Sequence, residues 1–199
     1  MKSPIYLLSL AAVAAPLFAA TLTQAERDRA VNELTTSRQQ FLDSVAGLSA
    51  AQWNFKPDEK TWSVAECAEH IALAEDLIFG SVTKIVQGPA TADKKSAVTD
   101  DFILAAVVDR SHKFQAPEAL RPKRTFATPQ EAVEHFKQSR AQTIAYVRTT
   151  QDDLRDHFFD HPVLKTMDGY QWILLLSAHS QRHTAQLNAV KANPNFPKE

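Results

Sequence analysis

Residues 168–193 read DGYQWILLLSAHSQRHTAQLNAVKAN and predict one long helix near the C-terminus of the chain. Asp168, with Gln171 three residues later, forms a capping-box pattern at its start, and a proline follows its last residue directly. The apolar residues recur at helical spacing on one face, at Trp172, Leu175, Leu176, Leu187 and Val190. His179 and His183 fall on that same face, so the helix places two polar rings within an apolar surface.

The spacing of His179 and His183 makes them candidate metal ligands. Four residues along a helix correspond to about 40° of rotation and about 6 Å of rise, so both imidazole rings can reach one ion. The alternative is that they are core histidines whose nitrogens are hydrogen-bonded within the protein. In either case, ring nitrogens on a face of Leu and Trp need partners. An ion shared with a third ligand from another helix would supply them.

Length and composition favour a single helical domain. The chain has 199 residues, of which 44% are hydrophobic, enough to bury one proper core. Only 4 residues are glycine and no repeat of solenoid length occurs, which argues against β-rich and repeat architectures. The formal net charge is −1 and no basic patch with interleaved aromatic residues occurs. We therefore expect no nucleic acid and no anionic membrane as a partner.

Residues 1–20 predict a secretory signal peptide. They read MKSPIYLLSLAAVAAPLFAA, with a basic Lys2, an apolar run and small residues at the end. The run is too short and too rich in alanine for a membrane span, and cleavage is expected near Ala19 or Ala20. An uncleaved N-terminal anchor is the alternative. We therefore expect residues 21–199 to form one exported domain, periplasmic or secreted, with no membrane contact after the signal is removed.

Cys67 is the only cysteine in the chain, so no internal disulfide can stabilise an exported domain. Its place among the apolar positions of a predicted helix favours a small buried residue over a nucleophile. Stability in an oxidising compartment must therefore come from packing.

Three further long helices are predicted from their capping signals. Each begins after a serine or threonine that is followed three residues later by a glutamate, at Thr23, Ser63 and Thr128. The first is expected to end at Gly47 and the second at Gly88, whereas the apolar positions of the third continue to Leu154. About forty residues, including a short apolar helix after Asp101, separate the second helix from the third, which is typical of a crossover. The expected fold is all-α, a four-helix bundle with a long crossover between helices two and three, which lets these two helices run parallel.

The remaining histidines differ in their surroundings. His70 lies at the edge of the apolar stripe of the second helix, within reach of a facing helix. His157 and His161 form a second pair at the same spacing, but the proline after His161 disfavours helical backbone, so the two rings are not expected to share a helix face. One of them could line the mouth of a pocket. His112 and His135 have no companions, and His135 is expected to face solvent.

The candidate metal ligands are therefore His70, His179 and His183. Three neutral imidazoles suit one divalent transition metal, Zn, Ni or Fe(II), and leave a position open for water or substrate, as in catalytic sites. Water on such an ion ionises near neutral pH, and a thiol placed there is deprotonated. No general base stands out, because nothing in the sequence aims the carboxylates of helix two at the open position. These carboxylates are Glu66, Glu69 and Glu75.

Two segments around the candidate ligands resemble the signature regions of a known family. They are TWSVAECAEHIALAE around His70 and HPVLKTMDGYQWILLLSAHSQRHTAQL around His179 and His183. The resemblance is to the DinB-like superfamily, also called the DinB/YfiT-like metalloenzymes, and covers roughly residues 24–192. It implies a four-helix bundle with the long connection between helices two and three, and a divalent metal held by the same three histidines. Members of the wider family include thiol-dependent S-transferases and a thiol-dependent isomerase.

The resemblance also draws attention to Arg182 and Gln186, which match family positions that flank the ligands. Both are candidates for lining the pocket or for contacting the ligands, and ordinary exposed or interhelical roles are equally open. Glu66 could orient the ring of His70, although a capping role at the start of helix two is favoured.

The leading functional hypothesis is an exported metal-dependent enzyme that activates water or a thiol for hydrolysis or group transfer on a small substrate. Export would separate the protein from cytoplasmic thiols, which weighs against thiol transfer. The first alternative is a noncatalytic metal-binding or stress-associated binding protein that keeps the three ligands, and the second is an interaction module with core histidines. A homodimer formed through an exposed helix face is left open.

Overall fold

This computed structural model describes residues 21–91 and 93–198. That part of the chain contains six α-helices and one two-stranded hairpin. The predicted signal peptide and its cleavage site lie outside the described residues. A one-turn 3-10 helix, Glu118–Leu120, lies between α4 and α5. The elements are α1 (Gln24–Val45), α2 (Ala50–Asn54), α3 (Val64–Ile85), α4 (Asp100–Val108), α5 (Pro129–Thr149), β1 (Phe158–His161), β2 (Lys165–Asp168) and α6 (Gly169–Lys191). Within the described residues, no helix is both long enough and apolar enough to span a membrane.

The long helices begin where the capping signals predict. Reciprocal capping boxes occur at Thr23, Ser63 and Asp168, where the side chain accepts a backbone N–H and the residue three positions later reaches back. At α5, Thr128 accepts the backbone N–H of Glu131 and a proline occupies the first turn. Local hydrogen bonding therefore sets these four starting points.

The four long helices pack as a bundle, which confirms the predicted helical class. α1 and α3 each pack against both α5 and α6, and α4 lies against α6 from outside. Asp76 of α3 contacts His135 early in α5, at 2.6 Å, whereas Phe79 contacts Tyr146 further along, with ring centroids 5.3 Å apart. Later positions of α3 thus pair with later positions of α5, so these two helices run in the same direction. The connection between them carries α4 and the 3-10 helix.

A buried arginine joins all four long helices at the centre of the bundle. Arg140 of α5 has a fully buried side chain and forms an ion pair with Glu75 of α3, with one Nε to Oε2 distance of 2.9 Å. It also donates to α1, through the Leu34 carbonyl and the Ser37 hydroxyl, and to α6, through Ser180. All of its neighbours are buried, so the pair is satisfied within the protein.

A second arginine joins α1, α4 and α6 at the N-terminal end of α6. Arg155 pairs with Glu26 of α1, Asp100 of α4 and Asp168 at the start of α6, at 2.8 to 2.9 Å. Its guanidinium also lies 4.1 Å from the centre of the Tyr170 ring. Three separate elements therefore meet at one side chain.

Three features differ from the expectations. α5 ends at Thr149, so Leu154 is a buried loop residue rather than part of the helix. The following residues form the β1–β2 hairpin, in which Phe159 pairs with Met167. Lys165 takes a positive φ of 63° in this hairpin. The single apolar face predicted for α6 is too narrow, because all residues from 169 to 178 are buried beneath α1, α3, α4 and the hairpin.

Candidate metal centre

The structure brings together the three histidines that the sequence singles out. His70 comes from α3, and His179 and His183 come from successive turns of α6. The Nε2 atom of His70 lies 3.1 Å from the Nε2 atoms of both other rings. The candidate ligand atoms of all three residues lie within 4.8 Å of one another. Because α3 and α6 are adjacent, side chains more than a hundred residues apart in the sequence form one cluster.

Hydrogen bonds on the far side of the rings determine which nitrogens carry protons. The Nδ1 atom of His70 lies 2.7 Å from the backbone carbonyl of Leu120, which can only accept, so Nδ1 carries the proton. The Nδ1 atom of His183 lies 2.9 Å from the Gln186 side-chain oxygen, which fixes the same tautomer when that oxygen accepts. The Nε2 atoms of His70 and His183 then present lone pairs to each other. Two lone pairs at this distance repel unless a cation lies between them.

Burial keeps the three rings uncharged. It is the main reason that the pKa of His70 lies below its ordinary value, although the hydrogen bond to Leu120 acts in the opposite direction. Burial, followed by the charges of neighbouring histidines and arginines, lowers the pKa of His179 and His183 much further. Neutral imidazole is the form that binds metal ions, so the rings are ready to coordinate at neutral pH.

The spacing of the rings fits a shared ion. Two nitrogens bound to one tetrahedral zinc ion, at about 2.0–2.1 Å each, lie roughly 3.3 Å apart. The 3.1 Å distances from His70 Nε2 are close to this value. The residues present therefore suit a divalent transition metal held by three protein ligands with at least one position open.

An aromatic side chain from the segment between α2 and α3 covers one side of the cluster. The ring centroid of Trp62 lies 4.9 Å from that of His70 and 6.2 Å from that of His183. These distances place Trp62 next to two of the candidate ligands. Cys67, one turn before His70, is fully buried, and burial raises the pKa of its thiol to about 12. Its predicted role as a small buried residue is confirmed.

No glutamate of α3 is available as a general base at the cluster. Glu66 caps its own helix through Ser63 and binds Lys56. Glu69 accepts the backbone N–H groups of residues 123–125. Glu75 is paired with Arg140 in the bundle core. Each of the three carboxylates that the sequence left without an assigned target is therefore occupied elsewhere.

Arg182 and Gln186 have distinct roles beside the ligands. Gln186 contacts His183 directly, as described above. Arg182 points away from the cluster and donates to the backbone carbonyls of Val107, Asp109 and His112, with a distance of 3.1 Å to Val107 and 2.7 Å to His112. It thereby fastens the segment after α4 to α6. The sequence did not predict that the Leu120 carbonyl and the segment after α4 lie beside the cluster, because backbone groups and long-range contacts leave no residue pattern.

The other histidines do not join the cluster. His157 is buried between the backbone carbonyls of Asp153 and Gly88, at 2.6 and 3.1 Å. His161 lies on β1, so the expectation that His157 and His161 share no helix face is confirmed. His161 also borders a surface cavity of about 380 Å³. His112 is exposed, and His135 binds Asp76 at the surface as its predicted solvent-facing position requires.

The fold and the cluster define a class: a helical bundle that presents three inward-facing histidines, on two neighbouring helices, as a candidate site for a divalent metal. The family model described as DinB superfamily matches residues 33–187, and the chain belongs to that superfamily. The expected family is therefore confirmed.

Two proteins from Bacillus subtilis, one similar in sequence and one in structure, extend this comparison. The uncharacterized protein YuaE of strain 168 is 23% identical over 155 residues, which cover 78% of this chain and 93% of YuaE. The solved structure of YfiT superposes with a TM-score of 0.56 at 15% sequence identity, covering 86% of this chain and 89% of YfiT. YfiT is described as "a probable metal-dependent hydrolase with an unusual four-helix bundle topology". At this identity, the likeness to YfiT shows the fold alone.

Proposed function

We propose that this protein is a metal-dependent enzyme that holds one divalent transition metal, Zn, Ni or Fe(II), on His70, His179 and His183 and hydrolyses a small substrate. The observation that carries the proposal is the 2.7 Å contact between His70 Nδ1 and the Leu120 carbonyl. That contact leaves His70 Nε2 without a proton, and the contact of His183 Nδ1 with Gln186 does the same for His183 Nε2, so these two nitrogens cannot hydrogen-bond to each other and both present lone pairs to an ion.

The chain's own residues prepare the centre for this role. Leu120 and Gln186 orient two of the rings, and burial keeps all three neutral. An ion bound there supplies Lewis acidity to water or to a substrate oxygen at its open position. Trp62 excludes solvent from one side of the rings. The glutamates of α3 are bound elsewhere, so none of them supplies a general base at the centre.

We propose water rather than a thiol as the attacking group because the sequence predicts export. The signal peptide hypothesis rests on residues 1–20 alone. Fractionation of the expressing cell, with N-terminal sequencing of the mature protein, tests it. A mature chain that begins near residue 20 in an exported fraction is expected, and an intact N-terminus in the cytosol would restore thiol transfer as the leading reaction.

Elemental analysis tests the metal centre. Protein purified without chelator or affinity tag is expected to contain about one divalent metal per chain, and His183→Ala is expected to lose most of it. The surface variant His135→Ala is the matched control and is expected to retain the wild-type content. Stoichiometric metal in His183→Ala would contradict the proposed ligand set.

A noncatalytic metal-binding protein is the second candidate, and the cover over the site favours it. Trp62 lies over two of the three rings and restricts access from that side. Assays of the metal-loaded protein against small ester, amide and phosphoester substrates separate the two candidates. Turnover that disappears in His183→Ala supports the enzyme, whereas full metal occupancy without any turnover supports the binding protein.

A further inference from the structure

The segment after α4 is held beside the metal centre. Arg182, directly before His183 in α6, donates to two backbone carbonyls of this segment, including that of His112 at 2.7 Å, and to the Val107 carbonyl in the last turn of α4. Arg110, within the segment, donates in return to the Arg182 carbonyl at 3.2 Å. That carbonyl belongs to the turn of α6 that carries His183 and its partner Gln186. The guanidinium of Arg110 therefore lies against the turn that carries one of the three candidate ligands.

Arg110 has donors to spare at this position. Its residue is exposed, and one carbonyl takes only one of the five N–H groups of a guanidinium. Among the described residues, no carboxylate lies within 4.0 Å of it. The neighbouring Asp109 carboxylate instead accepts the backbone N–H and the hydroxyl of Ser111, both at 2.8 Å.

The charge around the cluster is positive. Arg110 and Arg182 both lie at the turn of α6 that carries His183, the first through its contact with the Arg182 carbonyl. The nearest glutamates of α3 are bound to backbone N–H groups or to other cations, as described above. A divalent ion on three neutral imidazoles would keep its full charge, beside a guanidinium that has no acidic partner. An anion is the ligand that balances both.

We propose that the metal centre takes substrates with an anionic oxygen group, a carboxylate or a phosphate, and that Arg110 binds this group. The inference rests on the proposed function, because it places the anion next to the metal. The indole of Trp62 is stacked near the His183 ring, with ring centroids 6.2 Å apart, and offers an apolar surface for the rest of the substrate.

Anion binding to protein loaded with Co²⁺ tests the inference without an activity assay. The visible absorption of the bound Co²⁺ reports ligands that enter its coordination sphere. It is followed during titration with sodium acetate, with inorganic phosphate and with neutral imidazole. The variants are Arg110→Gln and Arg148→Gln, which removes an exposed arginine of α5 as the matched control. Metal content is measured in every sample.

Arg110→Gln is expected to raise the dissociation constant of the tighter anion about tenfold, the size of one lost charge-assisted hydrogen bond. It should leave imidazole binding unchanged, and Arg148→Gln should leave all three constants unchanged. The tighter of acetate and phosphate identifies the group. Two results would overturn the inference and leave the proposed function standing, provided that the protein binds one Co²⁺ per chain. One is that Arg110→Gln leaves the anion dissociation constants unchanged, and the other is that it raises the dissociation constant of imidazole by the same factor. Failure of the wild type to bind Co²⁺ overturns the proposed function and the inference together.

Discussion

At the scale of single residues, the hydrogen bonds behind the imidazole rings determine how well the centre can hold an ion. The Leu120 carbonyl is a backbone group and cannot be removed by substitution, but the partner of His183 is the side chain of Gln186. An oriented ring with its proton fixed on Nδ1 is a better ligand than a freely rotating one. Gln186 is therefore the accessible test of this orientation.

Gln186→Met keeps a long unbranched side chain but removes the acceptor for His183 Nδ1. We expect the affinity for Zn²⁺ to fall by roughly 10- to 100-fold, with the fold retained. Competition with a chromophoric chelator measures the change. Gln181→Met is the control, because the Gln181 amide of the same helix contacts Ser177, at 3.3 Å, rather than a ligand. Equal losses in both variants would count against an orienting role.

Two glycines are expected to respond to alanine with opposite signs. A Cβ at Gly169, the first residue of α6, would lie 3.0 Å from the Leu154 side chain and 3.1 Å from its backbone oxygen. A Cβ at Gly80 in α3 meets nothing within 4 Å. We expect Gly169→Ala to destabilise the fold by about 1–3 kcal/mol. We expect Gly80→Ala to stabilise it by about 0.5–1 kcal/mol. Urea unfolding measures both, and shifts of the same sign would contradict the packing described at Leu154.

At the scale of elements, Arg155 couples stability to pH because it joins α1, α4 and the start of α6. Burial raises the pKa of Asp100, but hydrogen bonds from Arg155 and Gln171 and the charge of Arg155 outweigh it, so the pKa is lowered. The pKa of Glu26 is lowered in the same way, against burial, with hydrogen bonds from Thr23 ahead of Arg155. Asp168 differs, since burial dominates and raises its pKa. The first two carboxylates therefore stabilise the fold above their ordinary pKa values of 3.8 and 4.5, and this stability is lost at lower pH.

Arg155→Gln should therefore reduce stability most near neutral pH. We expect a loss of about 1–2 kcal/mol at about pH 7, because the cluster is partly exposed and screened. The difference from the wild type should shrink at about pH 3, where Glu26 and Asp100 bind protons in the unfolded chain. Denaturation at the two pH values measures this, with Arg148→Gln as a control for the lost charge. A difference that does not change with pH would mean that packing on Tyr170, rather than the ion pairs, accounts for the effect.

The elements also show what the sequence could predict. Helix starts follow from contacts three residues apart, so the capping boxes at Thr23, Ser63 and Asp168 were visible in the sequence. The spacing of His179 and His183 was equally local. The end of α5 and the hairpin depend instead on what Leu154 and Phe159 pack against, which no local pattern records. For the same reason the Leu120 carbonyl and Arg110 could not be placed beside the centre in advance.

At the scale of the whole molecule, the three candidate ligands connect α3 to α6, two helices of the bundle that already pack together. An ion that binds only the folded chain stabilises it in proportion to the logarithm of its free concentration. An ion bound at the three histidines should therefore contribute to global stability.

Metal removal should lower the melting temperature of the wild type. With free metal at about a hundred times its dissociation constant, the stabilisation is about 2.7 kcal/mol, and EDTA should abolish it. Thermal unfolding before EDTA, after EDTA and after readdition of Zn²⁺ measures the effect. His183→Ala, compared under the same three conditions, should respond only weakly. An EDTA shift of equal size in that variant would place the stabilising ion elsewhere.

The position of α6 after the other five helices has a consequence for biosynthesis. This helix contacts α1, α3 and α4 and supplies two of the three rings, while the third ring lies 109 residues earlier than the first of them. Until residues 169–191 have left the ribosome, the nascent polypeptide lacks the helix against which α1, α3 and α4 pack, and contacts over such distances form late. Folding of the native bundle during synthesis must therefore wait for this helix.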